Sequence, residues 1–241
     1  STKGWAFALK KQTDGTRNFV IYAEDDAGGL CGDTPLSGDL TDWADTWKHV
    51  ALVYDAAAGN LGQGTWTCYL DGVRQGCATN AHVVSGNSAS SYFHLAGRVG
   101  DGNTFSGYLD CWRASKAALT PNQFLCATNG ASTATDVLAL WPLNSSDGVY
   151  IDATDLVGDY GFNTPLTAMH KVTASTGRAV TAIPNPDLSA AFKGDRAVNT
   201  GSIQFNSPSG TAPRAYLSTV DTTLRSAFCL TNSFTWEGWF Y

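Results

Sequence analysis

The chain has 241 residues, 43% of them hydrophobic and 12% aromatic, with 25 glycines and 8 prolines, a balance that suits one large all-β unit with a sizeable core. Its 21 acids against 15 bases give a net charge of −6, which repels a phosphate backbone and argues against a nucleic-acid partner. No stretch approaches the ~20 apolar residues of a membrane span, and six cysteines without a CxxC pair speak against zinc or dithiol redox motifs.

In chain order the strand signals are short and separated by turn residues. The segment GWAFALKK (4–11) runs through Asp14-Gly15 into NFVIYAE (18–24), which predicts a hairpin with a loop of several residues. WKHVALVYD (47–55) has a continuous apolar centre, as an inner strand covered on both faces would. TWTCYLDGVRQGC (65–77) alternates up to Asp71-Gly72, a pair able to take positive φ, and predicts a second hairpin. A two-residue turn there sets Cys68 opposite Gln75, whereas a four-residue loop sets Cys68 opposite Cys77, so loop length and any Cys68–Cys77 bond predict each other.

SSYFHLAGRVG (90–100) and FSGYLDCWRAS (105–115) follow as strands. Thr120-Pro121-Asn122-Gln123 then reads as a capping box with proline at the first helical position, and Asn129-Gly130 as its stop, giving one short helix. CATNGASTATD (126–136) is a linker of small polar residues. Beyond it come VLALWPL (137–143), a turn-rich stretch, AVNTGSIQFN (197–206), AYLSTV (215–220) and FTWEGWFY (234–241). The last alternates Phe234, Trp236, Gly238 and Phe240 against Thr235, Glu237, Trp239 and Tyr241, the pattern of a strand that pairs on both sides.

The series TWKHVALVYD, WTCYLDGVRQG, FHLAGRV and FSGYLDCWRASKAALTPNQF resembles, in order, the later part of a laminin-G-like domain of the concanavalin A-like superfamily. LALWPLNSSDG through AVNTGSIQFN to FTWEGWFY resembles the opening part of the same domain, so the two parts stand in inverted order. The resemblance implies an all-β, concanavalin A-like jelly-roll β-sandwich with one short helix. It divides the chain into a later jelly-roll part (1–125), the linker (126–136) and an opening part (137–241), and has the chain begin and end inside a domain. Two organisations fit. Either the parts belong to successive domains of an array, completed by a neighbouring copy, or they fold back on each other as one circularly permuted domain. In the first, the strand carrying Phe234, Trp236, Trp239 and Phe240 is an assembly strand that another chain must pair.

Catalytic signatures are missing. Glu24 and Glu237 are the only glutamates, every other acid is aspartate, and the carboxylate spacing of a glucanase is not present. There is no Gly-x-Ser-x-Gly and no His-Glu-x-x-His; His49 and His94 sit beside apolar neighbours and read as core or hydrogen-bonded histidines. The resemblance implies calcium as the small ligand, with Asp25, Asp26, Asp101 and Asn103 as oxygen donors, although aspartates in such stretches also serve simply as turn caps. Trp43 and Trp112, with Trp239, stand in polar contexts where a ring would stack on a glycan. Cys31, Cys68, Cys77, Cys111, Cys126 and Cys229 are an even set that favours disulfides, and Asn144 opens the one N-glycosylation sequon, so the expected setting is secreted or at the cell surface. Partners expected on this reading are other copies or neighbouring domains, and extracellular glycans or proteins, with no membrane insertion.

Overall fold

The computed structural model describes residues 5–24, 30–35, 37–41, 45–58, 64–79, 94–95, 105–126, 137–141, 143, 149–150, 166–169, 172–175, 202–205, 216–219 and 232–241. Within them the fold is built of β-strands, and every strand pair is antiparallel. The first sheet joins β1 (Trp5–Lys11), β2 (Arg17–Glu24) and β3 (Leu30–Pro35) in sequence order. Its first turn is the expected hairpin: Asp14 Oδ1 accepts from the Thr16 backbone N–H at 3.0 Å, and Gly15 takes φ +93°, a value that glycine adopts without the Cβ penalty.

The large sheet runs β12 (Val172–Ser175), β13 (Ser202–Phe205), β8 (Gly107–Ser115), β15 (Phe234–Phe240), β4 (Lys48–Asp55), β5 (Thr65–Leu70) and β6 (Val73–Thr79), with β9 (Val137–Trp141) also on β8. A smaller sheet orders β10 (Val149–Tyr150), β11 (Leu166–Met169), β14 (Tyr216–Thr219) and β7 (His94–Leu95). The main core lies between the first sheet and the large one. There Phe19 and Ile21 of β2 meet Leu52 and Tyr54 of β4, Leu109 and Trp112 of β8, and Phe234 and Trp236 of β15. Phe7 stacks on Phe19 at 4.7 Å, and Phe19 meets Phe240 edge-on at 6.5 Å.

The opposite face of the large sheet is covered too. The segment after β8 folds back so that Leu119 and Phe124 pack on Ala51 and Val53, while Leu125 packs with Cys111 and Trp239. This double cover explains why β4 and β15 are buried through their centres rather than on alternate residues. The capping cue is realised only as one 3-10 turn, Pro121–Gln123, in which the Thr120 backbone N–H donates to Gln123 Oε1 at 3.0 Å. Phe124 is already extended (φ −71°, ψ 160°), because it and Leu125 must reach the sheet instead of continuing a helix.

The β5–β6 hairpin closes with a two-residue turn, Asp71 at φ 49° and Gly72 at φ 77°, the signature of a type I′ turn. One residue further the register shifts, and a bulge places Cys68 opposite Gly76 and Cys77 opposite Thr67. Neither register expected from loop length is therefore realised, and Cys77 is not the cross-strand partner of Cys68. A second bulge lies between β8 and β15: Trp239 pairs with Asp110 and Glu237 with Arg113, so Cys111 and Trp112 together face Gly238. Cys111 takes φ 40° there, which costs roughly 1–2 kcal/mol for a residue with a side chain. The bulge turns the Trp112 indole over Gly238, where any Cβ would run into the ring.

Candidate functional site

The most unusual chemistry lies under the middle of the large sheet, where β15 sits between β4 and β8. On β15 the residues facing the main core are Phe234, Trp236 and Phe240, while Thr235, Glu237 and Trp239 face the segment that follows β8. Both edges of β15 are paired within this chain, Thr235 with Val53 and Ser115, and Glu237 with Ala51 and Arg113. The residues expected to form an assembly strand, Phe234, Trp236, Trp239 and Phe240, are thus packed inside their own chain, the first three buried and Phe240 partly so.

Glu237 is fully buried and ionised. Arg113 Nε donates to its Oε1 at 2.6 Å, Arg113 Nη2 donates to the same oxygen, and Oε2 accepts from His49 Nε2 at 2.9 Å and from the Leu125 backbone N–H at 2.8 Å. Burial by itself raises the carboxyl pKa, but the Arg113 charge, the bond from His49 and the Leu125 N–H outweigh it and hold the group below its ordinary value. Arg113 Nη2 also donates to the Gln123 backbone carbonyl at 2.6 Å, tying the 3-10 turn into the cluster. Among the described residues His49 Nδ1 finds no partner. The imidazole is walled by Trp239 at 5.3 Å and Phe124 at 5.8 Å, an apolar setting in which each of these bonds counts for more than in water. With both oxygens occupied and no exposed surface, Glu237 is a structural counter-ion and has no free lone pair to offer a substrate.

Thr235 repeats the pattern with neutral groups: its hydroxyl accepts from the Leu119 backbone N–H at 2.9 Å and donates to the Ala117 carbonyl at 2.7 Å. Asp71 ties the hairpin turn to β4, accepting from the His49 backbone N–H at 2.9 Å and pairing with Lys48 Nζ at 3.0 Å on the surface.

The other candidates from the sequence are placed as follows. Trp112 is only 6% exposed and Trp239 only 8%, so both are packing residues and neither presents a ring to a glycan. The reason is the double cover of the large sheet and the bulge at Cys111, neither of which the polar neighbours of these tryptophans disclose. His49 is the buried, hydrogen-bonded histidine expected. Cys68, Cys111 and Cys126 are not joined to one another by a disulfide. Burial pushes all three thiol pKa values up, Cys126 to about 12 with the charge of Glu237 adding to the effect. Cys31 and Cys77 are described in backbone register only, opposite Ala23 and Thr67. Trp43, Asp25, Asp26, Asp101, Asn103, Asn144 and Cys229 lie outside the described residues. Among the described residues no group of three or more His, Cys, Asp or Glu is arranged to hold a metal, and no helix is long and apolar enough to cross a membrane.

Sequence reasoning passed over two features. The first is the Arg113–Glu237–His49 cluster, whose one advance signal is that Glu237 is one of two glutamates and stands among residues buried on both faces of a strand. The second is a half-buried aromatic group at the end of the sheet, where Tyr241 meets Trp47 at 5.5 Å and Tyr108 at 5.7 Å. A family model of laminin-G type, described as the concanavalin A-like lectin/glucanases superfamily, matches residues 1–124. No curated protein and no solved structure gives a significant match to the chain.

Proposed function

The chain belongs to the laminin-G-like branch of the concanavalin A-like lectin/glucanase superfamily, and from that premise we propose that it is a non-enzymatic, extracellular structural or adhesive protein whose jelly rolls join head to tail into a filament or tandem array. The family is one of lectin-like and adhesive modules that bind proteins or glycans. The observation that carries the finer reading is the position of β15. This central strand comes from outside the family-matched segment, yet it supplies the counter-ion for a buried arginine inside that segment. A jelly roll whose middle strand arrives from a distant part of the sequence is suited to being completed by a neighbour. Against a hydrolytic role for Glu237 stands its commitment to the ion cluster, which leaves neither oxygen free to act as acid, base or nucleophile.

Light scattering of the purified full chain over a range of concentrations tests this reading. Mass that grows with concentration is the expected result, and a monomer at every concentration overturns it.

A second reading, a glycan-binding module that uses calcium, is favoured by the aromatic group at Trp47, Tyr108 and Tyr241, whose half-buried rings, at the ends of β4 and β15 and on β8, make a surface of the kind sugars stack on. It expects glycan-array binding that a chelator reduces, together with a melting temperature raised by calcium through Asp25, Asp26, Asp101 and Asn103. Binding unchanged by substitution of Trp47 removes the aromatic site.

A further inference from the structure

We propose that Arg113, His49 and the Leu125 backbone N–H form a carboxylate-recognition site that reads Glu237 of an incoming strand, and that the strand it accepts in assembly is β15 of a second copy of this chain. The inference rests on the head-to-tail reading above and names the surface through which it operates.

Three observations carry it. First, every element of the receiving site lies between residues 48 and 125, whereas the strand that fills it begins at residue 234; the His49–Glu237 and Arg113–Glu237 bonds span 188 and 124 positions. Pairing is therefore decided by complementarity between slot and strand, and the same contacts form whether the two lie in one chain or in two. Second, an empty slot is strongly unfavourable: it leaves Arg113 buried with its main counter-ion gone, two central strand edges unpaired, and the Leu125 N–H without its acceptor. Third, the site specifies register. A slip of one residue along β15 removes Glu237 from the slot and brings either Trp236 or Gly238 against Arg113, and a carboxylate-shaped site has no use for an indole or a hydrogen atom. Because slot and strand are different surfaces, exchange among copies is heterologous: two copies that trade strands reciprocally close into a dimer, and one-way donation from copy to copy propagates into a chain of molecules.

Directional cross-linking between full-length chains tests this. Tyr108 and Tyr241 exchange both backbone hydrogen bonds, at 3.0 and 2.9 Å. In such a pair the Cα atoms lie about 5.5 Å apart, within disulfide range. One chain carries Tyr108→Cys, and a second, distinguished by a mass tag, carries Tyr241→Cys; each variant oxidised alone controls for the native cysteines. After mixing at high concentration and oxidation, the expected product is a mixed dimer whose peptide map links positions 108 and 241. Adding Glu237→Gln to the second chain should lower its yield by about tenfold or more, as loss of a charge-assisted contact predicts.

Because that substitution also weakens the fold of the chain that carries it, a synthetic peptide of residues 232–241 provides a folding-independent measure. Added as competitor to the unmodified mixture, the natural peptide should suppress the mixed dimer at about one-tenth the concentration needed by the same peptide with Glu237→Gln. Equal potency of the two peptides overturns the role of the carboxylate. Concentration-dependent mass without any 108–241 mixed product overturns strand exchange while the head-to-tail reading stands. A monomer at all concentrations overturns both.

Discussion

At the scale of single residues, the stability of this sandwich turns on a charge that composition gives little reason to notice. Removing one partner of a buried ion pair is far costlier than never having built the pair, because the other charge stays behind in a medium that cannot solvate it. Glu237→Gln is therefore expected to lower unfolding stability by about 3–5 kcal/mol in urea titrations, and replacing Glu237 and Arg113 together by apolar residues of similar size to cost much less. The same group sets an acid limit. Its folded-state pKa lies below the ordinary 4.5, so its contribution is complete above that value and is lost as pH falls through the lower folded value. Melting temperature should accordingly hold steady down to about pH 5 and then drop, with this part of the drop absent in Glu237→Gln. An acid profile identical in the two proteins would mean that other carboxylates govern the acid limit. Gly238 matters for a steric reason: Gly238→Ala drives a methyl into the Trp112 indole and should cost about 1–3 kcal/mol, read by the same titration.

At the scale of elements, the strands whose sequence pattern and local turn chemistry agree were legible in advance. The Asp14-Gly15 and Asp71-Gly72 turns fall where those pairs stand, and the unbroken apolar centre of VALVY in β4 foretells cover on both faces. What was not legible depends on a partner far along the chain. The bulge after Asp71-Gly72 moves Cys77 out of register with Cys68, and nothing in TWTCYLDGVRQGC alone announces it. The capping box at Thr120 correctly marks a turn, but the demand of Glu237 for the Leu125 N–H and the burial of Phe124 stop it after three residues. Trp112 stands beside Arg113, which suggests a wet surface, until Arg113 itself proves to be only 3% exposed. The hairpin yields a prediction about thiols. Cys68 lies in the main core and Cys111 under the opposite face, both with a thiol pKa raised by burial, so peptide mapping after maleimide treatment of the native protein should find neither labelled and no Cys68–Cys77 bond. Labelling of Cys68 without unfolding would contradict its place in the core.

At the scale of the whole molecule, the question is how strands from distant parts of the sequence come to share one sheet. The large sheet places β15 between β4 and β8, and β13 and β9 on the far edge of β8, so strands from beyond residue 136 interleave with strands from before residue 126. Interleaving of this kind makes the folded body indifferent to which peptide bond connects the parts, provided a connecting segment reaches. A rearranged gene that runs 137–241, then a short glycine-serine linker, then 1–126 should thus yield a protein with the same near-ultraviolet circular dichroism and amide-exchange protection at Ala51–Val53 and Thr235–Glu237. In it β15 precedes β4 by far fewer residues than separate the two strands in the present order. Since closing a shorter loop costs less entropy while non-local pairing slows folding, the rearranged chain should refold faster and assemble less at equal concentration. If it folds but protection at β15 is lost, the strand requires its present connection, and the complementarity argued from Glu237 is not enough to seat it.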